Sequence, residues 1–245
     1  MTVALSEVFR ELSACYTWKL NEVFSNFVGR CEMEKIIYED SDILIIDKAA
    51  GIPVQTANIA SRDCISEIKN HLAKKGIKNP YAAVINRLDQ PVSGLVLFAL
   101  NQKAAAKLSD DLQKGRIDKY YRAKVYGEFE QKEGTLTNVL YKDAKQNVSM
   151  VVKEGDAHYK DGKKAILNYR EVTPGELDIK LITGRHHQIR VQLAATGHPI
   201  LGDMKYGTYE SGEETKRQGI DRLQLTSYKL VFRHPTTEKE LIFGD

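Results

Sequence analysis

Ile85-Asn86-Arg87-Leu88-Asp89-Gln90-Pro91-Val92-Ser93-Gly94-Leu95-Val96-Leu97-Phe98-Ala99-Leu100 is the stretch around which the rest of the chain falls into place. Its second half, from Leu95 to Leu100, is an unbroken apolar run, suited to a strand buried on both faces of a sheet. Ahead of it stand a cation and a carboxylate, Arg87 and Asp89. In an extended segment that two-residue spacing turns both to the same side. Pro91 stiffens the backbone and lacks an amide proton, while Gly94 permits a close approach or a positive φ. The stretch reads as a stiff loop that presents a carboxylate at the mouth of a sheet.

Downstream, Gln102 to Lys114 is rich in helix formers and closes at Gly115, a good residue for ending a helix. Lys119-Tyr120-Tyr121-Arg122-Ala123-Lys124-Val125 alternates outward cations with Tyr121, Ala123 and Val125, a strand with Tyr121 facing inward. Residues 130–165 are polar and hairpin-like, with turns expected at Glu133-Gly134 and Asp161-Gly162. Strands follow at Lys164 to Arg170 and Leu177 to Leu181, then a helix carrying Ile189, Leu193 and Ala194 between Gly184 and Gly197. Ser211 to Gly219 has no apolar residue and reads as a mobile surface loop, before closing strands at Leu223 to Phe232 and Leu241 to Phe243. Upstream, Ile36 to Tyr38 and Ile43 to Ile46 are strands joined by a turn-prone Glu39-Asp40-Ser41-Asp42. Ile65, Ile68 and Leu72 mark an amphipathic helix that starts near Ser61 to Asp63 and stops at Gly76. Many strands and few helices imply an α+β fold: a mixed, largely antiparallel sheet with peripheral helices. Val8, Leu12, Tyr16, Leu20, Val23, Phe24 and Phe27 recur at helical spacing, so residues 1–33 are expected to be a helical extension packed on a domain spanning 34–245.

With 245 residues, 42% hydrophobic and 28% charged, the chain can bury a sizeable core and is not disordered. A net charge of +3 says little about nucleic acid, but its distribution says more. Between Lys103 and Lys124, Lys103, Lys107, Lys114, Arg116, Lys119, Arg122 and Lys124 face only Asp110, Asp111 and Asp118. Cys15, Cys31 and Cys64 are odd in number and unsuited to a metal clip. No apolar run approaches the roughly 18–20 residues of a membrane span. A cytoplasmic protein, not engaged with a membrane, is expected. His186, His187 and His198 lack a cysteine or spaced carboxylate to complete a tetrahedral set, so no metal is expected. A dinucleotide glycine fingerprint and a phosphate-binding loop are also missing, and no cofactor is expected.

Two further stretches carry the functional reading: Thr183-Gly184-Arg185-His186-His187-Gln188-Ile189-Arg190-Val191 and Gly197-His198-Pro199-Ile200-Leu201-Gly202-Asp203-Met204-Lys205-Tyr206-Gly207. With Arg87-Leu88-Asp89 and Ser93-Gly94, they resemble in content and order three motifs of the RluA-type pseudouridine synthases. Asp47-Lys48-Ala49-Ala50-Gly51-Ile52-Pro53-Val54 is similar to a further family segment, with Asp47 and Ala49 in place of Asn and Pro. The resemblance runs from about Glu34 to the C-terminus, so 34–245 is expected to be the catalytic domain.

What the resemblance implies is isomerisation of uridine to pseudouridine in ribosomal or transfer RNA, without cofactor or metal. No protein partner is expected and the chain is expected to act as a monomer. Asp89 matches the catalytic aspartate, which can attack sugar or base or assist proton abstraction from the sugar; sequence leaves these routes open. Arg190 matches the arginine that pairs with it, for which a bidentate grip is expected. Tyr121 matches the tyrosine that stacks on the flipped base. Arg87 matches the arginine that fills the space the nucleotide vacates, and RNA contacts are expected from Arg87, Arg185, His187 and Lys205. Asn86, His186 and Gln192 depart from the family's usual residues and are expected to flank the site. A non-catalytic RNA binder and a glycosidic-bond hydrolase with a carboxylate pair are the competing readings.

Overall fold

A computed structural model describes residues 35–56 and 62–245; the expected helical extension over 1–33 lies outside the described residues. The chain opens with a hairpin of β1 (Lys35–Glu39) and β2 (Ile43–Lys48). Asp40 holds its turn, Oδ1 accepting from the amides of Asp42 and Ile43, both at 2.8 Å. Helix α1 (Cys64–Lys74) begins where Asp63 accepts the Ser66 amide and ends before Gly76, whose φ is +90°. A two-residue strand, β3 (Ala83–Val84), leads through the Asp89 loop into β4 (Ser93–Ala99), and α2 (Gln102–Gln113) follows. Five strands come next: β5 (Asp118–Lys124), β6 (Glu133–Asp143), β7 (Val148–Val152), β8 (Lys163–Thr173) and β9 (Glu176–Leu181). Then come α3 (Gln188–Ala195), α4 (Tyr209–Arg217), β10 (Leu225–Arg233) and β11 (Glu240–Phe243).

These strands form one sheet in the order β1-β2-β4-β10-β5-β9-β8-β6-β7, with β3 beside β4 and β11 beside β10. Every pairing is antiparallel except β4 with β10. The mixed, largely antiparallel α+β architecture is as expected. Strands β2 and β4 are covered on both faces, which is why they read as continuous apolar runs. Leu44, Ile46, Val96 and Phe98 meet Ile68 and Leu72 of α1 on one side; Ile43, Ile45, Leu95 and Leu97 meet Ala104 and Leu108 of α2 on the other. Burying each such side chain is worth about 1.5–3 kcal/mol.

The β4–β10 junction matters most for the site. Only Thr226 with Ser93 and Ser227 with Gly94 are in register there. Gly94 has φ +111°, and a Cβ on it would lie 2.1 Å from the Ser227 carbonyl oxygen, so only glycine fits. Ser227 pairs on its other side with Tyr121. Gly94, Ser227 and Tyr121 thus form one row across three strands, which sets Tyr121 against the start of β4.

Two expectations fail here. Ser211 to Gly219 is not a mobile loop: most of it lies in α4, which a reciprocal cap between Thr208 and Ser211 initiates. Arg217 reaches back to Glu214 at 2.8 and 2.7 Å, and Thr215 Oγ1 accepts the Gly202 amide at 3.0 Å. Glu133-Gly134 is no turn either, since β6 begins at Glu133 and Gly134 lies in register with Tyr169. A Cβ at Gly134 would come within 3.0 Å of the Tyr169 hydroxyl, so the glycine makes room for that ring.

Candidate active site

Asp89 sits in a clamped loop. The Val92 amide donates to its carbonyl at 3.0 Å, closing a turn through Gln90 and Pro91. Behind the turn, Lys48 is fully buried and its Nζ donates to the carbonyls of Ala49 and Ile52, each at 2.8 Å, and of Gln90 at 3.1 Å. A buried ammonium is tolerable only with such partners, and here they pin the residue beside Asp89. Gln90 also exchanges two bonds with Gly51, at 2.8 and 2.9 Å. Asn86 ties the loop to β4, donating to the Leu95 carbonyl at 3.1 Å and accepting the Leu97 amide at 2.7 Å.

Helix α3 supplies Arg190, buried and 3.4 Å from Asp89 through Nη1–Oδ2. The expected pairing exists, but its bidentate character does not. Arg190 grips Asp203 instead, Nε to Oδ2 at 2.8 Å and Nη2 to Oδ1 at 2.7 Å, leaving Nη1 alone for Asp89. Asp203 Oδ1 also accepts the amides of Lys205 and Tyr206, at 2.9 and 3.1 Å. Burial opposes charge on both members, yet the pair and these bonds outweigh it, raising the arginine's pKa and lowering the aspartate's. Asp203 stands in the glycine-aspartate-lysine-tyrosine motif, but sequence reasoning assigned it no role.

Tyr121 is buried as expected, and burial first, with Asp89 adding, pushes its phenol pKa up, so it stays neutral. Lys119 was expected to face outward with the other cations. It shares the Tyr121 face of β5, is 7% exposed, and makes no hydrogen bond or ion pair among the described residues. Burial depresses its pKa.

These residues line a cavity of about 1130 Å³. Arg62, Arg87, Lys119, Lys142, Arg185 and Arg190 contribute cations to its wall, and Asp89 is the one carboxylate among the described lining residues. Arg87 is exposed and without partner among the described residues, at the rim. Arg185 is exposed, with Nε on the Lys164 carbonyl at 3.0 Å. Lys205 does not line the cavity; its Nζ donates to the Asn147 carbonyl at 2.9 Å. Asn86 and His186 line the cavity rather than flank it, whereas Gln192 lies outside its wall and bridges Asn138 and Gln188.

His186 and His187 precede α3 and stack with ring centroids 3.7 Å apart. His187 adopts φ +53°, which swings its Nε2 to 3.7 Å from Asp89 and its Nδ1 to 2.7 Å from the Tyr206 hydroxyl. That hydroxyl also accepts the Ser149 amide at 2.8 Å. Burial depresses the His187 pKa to about 4. His198 is elsewhere, stacked on Phe129 at 4.1 Å, so the three histidines form no ligand set. Among the described residues, Asp40, Asp42 and His234 could hold a metal by geometry, but their atoms are engaged. His234 Nδ1 accepts the Thr236 and Thr237 amides, and Nε2 meets Asp40 at 2.9 Å. The cluster anchors the β1–β2 hairpin.

Residues 42–195 match the family model described as RNA pseudouridylate synthase. A Haemophilus ducreyi protein described as tRNA pseudouridine synthase C is 30% identical over 84% of this chain and 88% of its own length. Ribosomal large subunit pseudouridine synthase C of the same organism is 27% identical over 98% of this chain and 72% of its own. The solved structure of human RNA pseudouridylate synthase domain containing 1 shares the fold, with a TM-score of 0.68 at 20% identity, covering 86% of this chain and 82% of that one.

Proposed function

The chain belongs to the RNA pseudouridylate synthase family, and from that premise we propose that Asp89 is the catalytic residue of a cofactor-independent isomerisation of uridine in ribosomal or transfer RNA. One observation carries this reading: a cavity whose described lining holds a single carboxylate, among several cations and a buried neutral tyrosine. Pseudouridine formation breaks the N1–C1′ bond of uridine, turns the base, joins C5 to C1′ and moves the C5 proton to N1. Nothing is oxidised or reduced. The carboxylate either attacks sugar or base, or takes a proton from the sugar, and both routes need its oxygen open to the cavity. Asp89 meets that need, with a side chain 28% exposed.

The remaining residues bind and orient. A nucleotide turned out of its stack brings phosphates, which Arg62, Arg87, Arg185 and Lys142 attract at the cavity wall. Its base enters against Tyr121, and stacking offsets part of the unstacking cost. Arg87, unpartnered among the described residues, is placed to fill the gap left behind. Arg190 orients Asp89 from α3, and Asp203 keeps Arg190 in place. The hydrolase alternative needs a second acid at the cavity, and Asp203, the nearby candidate, has a fully buried side chain committed to Arg190. We assign the catalytic domain to 34–245 and a separate N-terminal extension to 1–33, in a cytoplasmic enzyme acting as a monomer. Among the described residues, no helix is long and apolar enough to cross a membrane.

Asp89→Asn tests the proposal. Single-turnover assays should show no pseudouridine while RNA affinity and melting temperature stay near wild type. Retention of a tenth of the wild-type rate, or release of free uracil by wild type, would overturn it. Pseudouridine mapping of total RNA with and without the gene then identifies the substrate.

A further inference from the structure

Four groups stand in series between β7 and the cavity. The Ser149 amide donates to Tyr206 Oη at 2.8 Å, Oη meets His187 Nδ1 at 2.7 Å, and His187 Nε2 faces Asp89 Oδ2 at 3.7 Å. A phenol carries one proton and a backbone amide can only donate, so the protons along this series can be placed by counting. Suppose Nδ1 carries the imidazole proton. Oη then accepts twice, its own proton has no acceptor among the described residues, and the bare Nε2 lone pair confronts a carboxylate oxygen. Suppose instead that Oη–H donates to Nδ1. The phenol proton then has an acceptor, and Nε2–H faces Asp89 Oδ2 across 3.7 Å, close but longer than a hydrogen bond.

An imidazolium is the third possibility. It again leaves the phenol proton unplaced, and its charge meets Arg190 of α3, the stacked His186 and Lys205 of the α3–α4 segment. Asp89 alone among the facing charges favours it, since Asp203 is engaged by Arg190 and Lys142 of β6 adds a further cation near His186. The backbone agrees with a special role. A left-handed conformation is uncommon for a histidine, and here it turns the ring so that one nitrogen reaches Tyr206 and the other Asp89.

We infer that Tyr206 is a positioning residue: its hydroxyl holds His187 as the neutral Nε2–H tautomer and so turns an uncharged N–H, rather than a lone pair, toward the Asp89 carboxylate beside Arg190. The inference rests on Asp89 being the catalytic residue. Its chemical sense lies in the division of labour around Arg190, which spends two of its donors on Asp203 and offers Asp89 one. A neutral N–H facing the same oxygen, 3.7 Å away, can close onto it without adding charge.

Ring-nitrogen NMR on the full-length protein reads the tautomer without any assay of activity. The Nε2–H form of His187 is expected throughout about pH 5.5 to 8, and an Nδ1–H form or an imidazolium in that range overturns the inference. Tyr206→Phe keeps the ring over which Arg190 lies at 5.1 Å but removes the donor. In this variant His187 should begin to titrate within the range, and the single-turnover rate should gain an acid limb that wild type lacks. A rate loss uniform in pH with an unchanged His187 tautomer refutes the role. Should Tyr206→Phe not fold, His187→Gln and His187→Leu carry the same backbone strain but differ in having an uncharged N–H. Gln retaining about tenfold more rate than Leu supports the inference, and equal loss overturns it. An active Asp89→Asn would sink the proposed function without touching the tautomer, so the two failures are separable.

Discussion

Asp203→Asn keeps the shape of a fully buried side chain but replaces one carboxylate oxygen with an amide nitrogen. Oδ1 can go on accepting from Arg190 Nη2, Lys205 and Tyr206, at 2.7, 2.9 and 3.1 Å in the native chain. The other oxygen accepts Arg190 Nε at 2.8 Å, and an amide there sets donor against donor. Flipping the amide is worse, because three donors then meet it. Arg190, 5% exposed, loses the charge that compensates it. Breaking a buried pair costs about 3–5 kcal/mol, and with Asp89 still 3.4 Å away the lower end applies. At about 2–4 °C per kcal/mol for a chain of this size, the melting temperature should fall by about 6–12 °C. Circular-dichroism melts measure this beside single-turnover pseudouridine formation, which should also slow because Arg190 can swing fully onto Asp89. A drop below about 2 °C would refute the reasoning and make Asp203 a bystander.

Other outcomes follow from the same geometry. Lys119→Met removes a buried cation without a partner among the described residues, so stability should hold or rise, while the single-turnover rate falls about 10–100-fold through loss of a charge-assisted contact to substrate; a destabilised but fully active variant contradicts this. His187 has a folded pKa of about 4 against 6.5 as its ordinary value, so between these the unfolded chain binds more protons and stability falls as pH falls. Denaturation curves at pH 7 and pH 4 should show that loss, on the order of 3 kcal/mol at most, shrinking in His187→Asn; an equal loss in both proteins assigns it to other groups. Dialysis against a chelator should leave turnover on total RNA intact, and loss restored by zinc but not magnesium would point to a metal requirement.

How legible the molecule was depends on how local each cause is. The Asp89 loop could be read because an apolar run, a proline and a glycine stand within a few residues of it. Arg190 was found, but its main partner was misassigned, because a guanidinium chooses among carboxylates brought close by the whole fold. Asp203 returns only after α3 and the following turn. Lys119 was misplaced by a habit of sending cations outward, although strand parity put it with Tyr121. Helix α4 escaped because periodicity detects an apolar face, and this helix is held by its cap and by charged pairs three residues apart. The roles of Lys48 and Tyr206 lie in carbonyls and ring nitrogens contributed by distant segments, and no spacing announces them.

The two-residue splice of β4 to β10 is the seam where the two sides of the sheet are joined. Asp89 belongs to the β1-β2-β4 side of the sheet, whereas Tyr121 and Arg190 belong to elements on the β5-β9-β8-β6-β7 side. Only β10, drawn from far down the sequence, joins them. One apolar core spans both sides all the same, taking in Leu44 and Phe98 together with Tyr121 and Leu177, so the walls of the cavity are held by packing as well as by that short splice.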